Sequence, residues 1–521
     1  MSIRKYLSVA SLACVLPLAG CDENDSNQED QGVQADGAVV SHHEGSDAAV
    51  TGSASGSADG GAVVPTSGDA ARPDSPADAG QHTVDPSEGD AGGPALSTAG
   101  AKFFLPTGEP TNTAAPRVEV DSAGNTHAVY PAFFKGDAFY TFCSGDCTAD
   151  PSKLSAVRFE TDGTVYNAML RLTADDKPRV LLSGSKKNYW AQCDQGCTDR
   201  ANWTLGELQT HNGDLSVTGE ALALDPQGRP RFLIHAYRAL YGIGQKTPQT
   251  SLAQCDVDDC SKPESWTYSV IAQNEIWEGS SLAYDDTGKA HVATHIFSFG
   301  DMPSDPIGAY LSCTGACNAE HTWKGIGFFA PYESTTEAID MHPSISLALS
   351  RAGHPRIAQL GKTAEGKKVV SYFECEANCE GDNWKTGFTW QADQFDDGID
   401  LALDASDHPR FVNTINYNII LTYCDAADCT AADAKWDSSF VEKGSDIPTD
   451  SIFLEWNCNV GAWFLHSPSL ALTPRGEPRV GYQIRDVSGG GAVTPDPTKP
   501  SCVAGTDMTL SRLAALPTYK N

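Results

Sequence analysis

The 521-residue chain carries 68 acidic side chains against 36 basic ones, a formal net charge of −32 at pH 7. So acidic a chain repels nucleic-acid phosphates and anionic membrane surfaces, which argues against electrostatic binding to either. Length alone would allow two or three domains.

Residues 1–21 read as an export signal. Arg4 and Lys5 give a charged start, and residues 7–18 form an apolar run too short for a stable membrane span. Leu18-Ala19-Gly20-Cys21 resembles the bacterial lipobox. That resemblance implies that Cys21 is lipidated, becomes the first mature residue and holds the protein to the cell envelope outside the cytoplasm, in the periplasm or at the cell surface.

Residues 22–100 read as a disordered linker rich in Gly, Ala, Ser and Asp. They hold fifteen acids, one base (Arg72) and no Phe, Trp or Tyr. Such a segment cannot bury enough apolar surface to offset its chain entropy. As a flexible coil it would reach roughly 50 Å.

Residues 101–521 are the folded body, with 53 acids against 33 bases. One unit recurs through it. Its clearest copy is residues 221–233, ALALDPQGRPRFL. Asp225 suits the first position of a turn, Pro226 presets φ at the next, and Gly228 accepts the left-handed conformation of a turn with a bulge. Pro230 stands where a strand begins, a position that tolerates a missing N–H. The other copies are residues 118–130, 170–182, 282–294, 347–359, 401–413 and 470–482. After each hairpin, in six of the seven units, comes an apolar run ending in a close cysteine pair, and Trp203, Trp266, Trp323, Trp384 or Trp436 follows in five. Each unit thus supplies four strands. The expected fold is all-β, a seven-bladed β-propeller of four-stranded blades.

Ring closure follows from the chain ends. The seventh unit has its hairpin and a third strand at residues 507–513, with little chain left for a fourth. Residues 101–105 (AKFFL) belong to no earlier unit. A closed ring leaves no open edge, so residues 101–105 are expected beside 507–513 as the outer strand of blade seven.

The cysteines agree with export. Six local pairs are expected as disulfides: Cys143–Cys147, Cys193–Cys197, Cys255–Cys260, Cys313–Cys317, Cys375–Cys379 and Cys424–Cys429. Cys458 and Cys502 remain and are expected to pair. Two cysteines per turn lack the further ligands of a closed zinc site, so no metal is assigned to them.

Arg179, Arg231, Arg356, Arg410 and Arg479 follow a proline in five units, and His127 and His291 take that place in the other two. The Asp-turn-Gly hairpin resembles that of sialidase-like and Asp-box propellers, in which an arginine cluster holds a carboxylate. Here the turn reads D-x-x-G-x-P-R, lacks the closing aromatic and joins the first two strands. The arginines are therefore expected to serve blade-to-blade structure, paired with a neighbouring Asp.

Ligands of propellers meet loops that break the repeat. The loops before each first strand and after each second strand should share one face. They offer Glu275, Trp277, Glu278, Asp340, His342, Asp396, Asp397, Asp400, Trp456 and Trp463. An acidic, aromatic mouth suits sugar stacking, a calcium ion or a cationic ligand. The acids of residues 393–400 around Gly398 match a calcium loop only weakly, and no cofactor is expected. No nucleophile-elbow, zinc-helix or phosphate-loop motif is present, and no catalytic residue is assigned. The expected role is a membrane-tethered, monomeric module that binds a glycan or protein ligand. A sialidase-like glycan-active enzyme is the alternative, and a purely structural envelope protein the third reading.

Overall fold

Once in each of the seven units, a side-chain oxygen accepts a hydrogen bond from the backbone N–H four residues on and closes the turn between the first two strands. The acceptors are Asp121, Thr173, Asp225, Asp285, Ser350, Asp404 and Thr473, at 2.7–3.1 Å. The residue three places after the acceptor has positive φ, as at Gly228 (+75°) and Asp176 (+63°). That local chemistry sets the first two strands of each unit antiparallel.

This computed structural model describes residues 100–106, 113–132, 136–184, 187–208, 217–236, 248–298, 307–319, 321–328, 330–331, 344–363, 367–391, 398–447, 463–486 and 508–517. Residues 1–99, with the expected signal and most of the linker, lie outside them, as do Cys458 and Cys502.

The described strands form seven antiparallel sheets, and in blades one to four and six the strands follow chain order from the inside outward. The innermost strands are Arg117–Val120, Val165–Leu172, Val217–Leu224, Glu275–Tyr284, Ile345–Leu349, Ile399–Leu403 and Trp463–Leu472. Blade five carries an extra short strand, Ala330–Pro331, on the upper end of Pro355–Lys362. Blade seven is closed by the other end of the chain. Ala101–Phe104 pairs with Met508–Ala515, Phe103 opposite Leu513, as its outermost strand. The third strand is thus shifted slightly from the expected 507–513, and the closure itself is as expected.

Seven clusters of buried apolar side chains occupy the interfaces between successive blades, among the described residues. Each sheet therefore buries both faces, which is why its strands read as near-continuous apolar runs. Phe103 lies in the cluster between blades seven and one, with Val118, Ala128 and Leu513.

The six expected local disulfides are all formed. They explain the tryptophan that follows them. Nε1 of Trp203, Trp266, Trp323, Trp384 and Trp436 donates to the carbonyl of the second cysteine at 2.7–3.2 Å. The indole then packs against neighbouring aromatic side chains, as Trp203 does on Tyr140 and Phe159 of blade one. A buried indole N–H needs a partner, and the cysteine loop presents one.

Candidate functional site

The hairpin turn of every blade, and the cysteine loop of blades one to six, lie at the same end, here called the lower face. The connections that enter a first strand or leave a second strand lie at the upper face. A central channel runs between.

On the lower face each repeat arginine ties the two loops of its own blade together. Arg231 Nη1 donates to the carbonyls of Pro230 (3.0 Å) and Cys255 (2.8 Å), and Nη2 to Asp225 Oδ2 (2.7 Å) and Asp256 Oδ1 (2.6 Å). Arg410 repeats this with Cys424, Asp404 and Asp425. Arg179 holds Cys193 O and Asp194, and Arg356 holds Cys375 O and Glu376. In blade seven, which lacks the cysteine loop, the Leu516 carbonyl and Glu477 take those places around Arg479. The expectation of a blade-to-blade role is thus corrected: the clamp is within the blade, because the carboxylate one residue past the cysteine reaches the guanidinium first. His127 and His291 substitute for it by pairing Nδ1 with the hydroxyls of Tyr140 and Tyr310, each at 2.7 Å. Burial keeps both imidazoles below their usual pKa, so they serve neutral. Asp404, His408 and Asp425 bring three ligand atoms within 4.8 Å of one another. Arg410 Nη2 already bridges the two carboxylates there, supplying the positive charge that a cation would bring.

The channel encloses a cavity of about 290 Å³ lined by all seven innermost strands. Two positions before each turn acceptor lie Glu119 and Arg171 in blades one and two, and alanine in the other five: Ala223, Ala283, Ala348, Ala402 and Ala471. Arg171 Nη1 donates to Glu119 Oε1 at 2.6 Å. Burial pushes the Glu119 carboxyl up, and Arg171 opposes that. Two positions earlier in the strand, a hydrogen-bonded belt runs from blade four through blades five, six and seven to blade one. Ser281 donates to the Leu347 carbonyl (3.4 Å), Ser346 to Asp400 Oδ1 (2.9 Å), and Ser469 to the Pro116 carbonyl (2.6 Å). Ser346 accepts from Leu401 N, and Asp400 Oδ2 from Leu470 N at 2.8 Å. The belt therefore satisfies backbone groups that the inner edges of blades five, six, seven and one turn to the channel. Asp400, among the candidate ligands, is part of it.

At the upper face the repeat breaks. The innermost strands of blades three, four and seven run on past a bulge, where Ala221, Gly279 and Ser467 have positive φ. These extensions carry the three strands toward the upper face. Glu275 begins the one in blade four, its Oε2 accepting from Trp277 Nε1 at 3.1 Å. Trp277 itself is packed in the core between blades three and four, and Trp463 in that between six and seven. Glu278 is 8% exposed, and its Oε2 has no hydrogen-bond partner among the described residues. Burial raises its pKa to about 7. It lies opposite His295, whose Nδ1 meets Ser344 Oγ of blade five at 2.9 Å and whose pKa burial lowers to about 3. A carboxyl and an imidazole, each shifted toward its neutral form by burial, thus face one another across the two strands. Asp340, His342, Asp396, Asp397 and Trp456 lie outside the described residues.

His295, Glu119 and Arg171 escaped the sequence reading. The last two had a signal: aligned on the turn acceptor, five units carry alanine where these two carry charge.

No family model matches the sequence, and no curated protein does. Solved structures give distant likenesses. The polysaccharide lyase Uly1 is 9% identical, with a TM-score of 0.44, over 77% of this chain and 90% of that one. A PL25 ulvan lyase is 11% identical at a TM-score of 0.44, over 72% and 92%. The Hadza microbial sialidase Hz136 is 10% identical at 0.37, over 71% and 63%. At this distance none carries an argument about chemistry.

Proposed function

We propose that the protein is a lipid-anchored, extracytoplasmic binding module that takes its ligand on the upper face of the propeller. One observation carries the reading. The charged groups repeated from blade to blade are committed to their own blade at the lower face, while the strand extensions past a bulge lie at the upper one. Repeated residues hold the scaffold, and irregular loops on a rigid scaffold are where recognition evolves. The six disulfides agree with an oxidising compartment, and the lipobox with attachment at Cys21.

A glycan-active enzyme is the second reading, favoured by Glu278, a buried carboxyl that holds a proton near neutral pH as a general acid must. The repeat arginines do not support a sialidase-like site, since each already holds a carboxylate of its own blade. A glycan array run beside a fluorogenic-glycoside screen separates the two. Retention without turnover supports the module. Turnover abolished by Glu278→Gln replaces it with the enzyme. No retention on any glycan, with no protein captured from the surrounding envelope, removes the binding reading.

A further inference from the structure

We propose that the central channel holds a binding site for a small apolar α-amino acid, its carboxylate on Arg171 and its ammonium group on Glu119. The site is separate from the upper face, and its failure would leave the reading of that face untouched.

Charge on an innermost strand costs desolvation, and in the layer that holds Glu119 and Arg171 the other five blades carry alanine. The contact between the two is incomplete. Arg171 Nη1 donates to Glu119 Oε1 (2.6 Å) and to the Leu170 carbonyl (3.0 Å). Nε and Nη2 of Arg171 and Oε2 of Glu119 have no hydrogen-bond partner among the described residues. The Arg171 and Glu119 side chains are 35% and 26% exposed, yet burial pushes the Glu119 carboxyl up. Both facts hold for groups that face a small enclosed volume rather than bulk solvent.

The lumen selects its occupant by charge, shape and size. The open edge of the guanidinium, Nε with Nη2, is a planar fork of two donors, which matches a carboxylate. An anion alone is disfavoured there, because Glu119 adjoins the fork. Asp400 of blade six, two places round the ring from Glu119, adds its own negative charge and acts on the Glu119 carboxyl. A cation alone is disfavoured by Arg171. Arg117, also on the wall, brings the lining to two charges of each sign. A zwitterion answers both signs at once. Glu119 and Arg171 touch, so the two charges of the ligand must also be close, as they are across one carbon of an α-amino acid. The rest of the wall suits an apolar side chain. It includes Met169, Ala402 and Ala471, and the belt hydroxyls of Ser281, Ser346 and Ser469 already donate to neighbouring blades. The cavity of about 290 Å³ has room for roughly ten waters, at the bottom of the range of about 300–1,000 Å³ that takes larger ligands.

The test is equilibrium dialysis of the full-length protein in detergent against isotopically labelled glycine, L-alanine, L-valine and L-aspartate. Propionate and ethylammonium, which are alanine without its ammonium or its carboxylate, serve as controls. At least one of the three apolar amino acids binds, and both controls bind about tenfold more weakly or worse. The double variant Glu119→Ala/Arg171→Ala keeps the melting temperature of the parent and loses about tenfold or more in affinity. Arg171→Lys keeps the ion pair, loses the fork and weakens binding about tenfold. No apolar amino acid bound by the parent protein overturns the site and leaves a channel filled with water. Propionate or ethylammonium held as tightly as L-alanine overturns the zwitterion, and L-aspartate held as tightly as L-valine overturns the apolar class. Unchanged affinity in the double variant puts the amino acid elsewhere and overturns the assignment. If the double variant melts lower, Arg171→Lys decides, and affinity within about threefold of the parent overturns the role of the fork.

Discussion

Asp176 of blade two reaches across to Ser122 of blade one. Its Oδ1 accepts from the Ser122 backbone N–H at 2.9 Å and its Oδ2 from the hydroxyl. Asp176 occupies the turn position that Gly228 or Gly476 fills in other blades, with the same positive φ. Asp407 of blade six does the same to the backbone N–H of Arg351 in blade five, at 3.0 Å. In both places a side chain tolerates a glycine conformation in return for a link between neighbouring turns.

That trade predicts opposite results for two small substitutions. Asp176→Ala keeps the backbone cost and loses the link, and should destabilise by about 1–2 kcal/mol. Asp176→Gly loses the link but relieves the backbone, and should stay within about 1 kcal/mol of the parent. Urea titrations of both variants decide it. Equal losses would mean that the turn conformation costs nothing.

The channel pair predicts non-additivity. Arg171→Ala leaves Glu119 facing the lumen alone, and Glu119→Ala does the same to Arg171. Each single change should cost about 1 kcal/mol, since the pair is about a third exposed. The double alanine variant copies the other five blades and should recover most of that loss. Additive losses in a double-mutant cycle would show that the two charges act independently.

Glu278 should make the fold weaken as pH rises. In the unfolded chain it ionises near its ordinary 4.5, whereas burial in the fold raises this to about 7. Its contribution is therefore full below pH 4.5 and is lost as pH rises toward 7, by about 3 kcal/mol. Glu278→Gln removes this slope and should be the more stable protein at pH 7.5. Denaturant midpoints of both proteins at pH 4.5, 6 and 7.5 measure it. Parallel pH profiles would show that Glu278 ionises normally.

Ring closure predicts a contrast between two truncations. Deleting residues 101–106 removes the outer strand of blade seven, with Phe103 buried and the Phe104 ring 4.7 Å from the Arg512 guanidinium. The loss should be on the order of 5 kcal/mol from buried apolar area and exposed strand edge. Deleting residues 22–99 should leave the melting temperature unchanged. Equal melting temperatures for the two would refute closure by the N-terminal strand.

The sequence by itself determined what depends on local spacing. A turn of fixed chemistry recurring every 52 to 69 residues, a cysteine pair four or five apart and a tryptophan soon after are each complete within one blade. The closing strand was legible too, because residues 101–105 were apolar and belonged to no unit. Only the tertiary structure decided the rest. The partners of Arg231 lie 6 and 25 residues away, and nothing in the repeat said which carboxylate would arrive first. Ser469 and Pro116 are 353 residues apart and meet only when the ring closes. Glu278 and Trp277 are adjacent acidic and aromatic loop candidates in the sequence, yet a bulge at Gly279 and the neighbouring blades bury both. Burial, and with it proton affinity and ligand access, is a property of what several distant strands enclose together, and no single stretch of chain carries it.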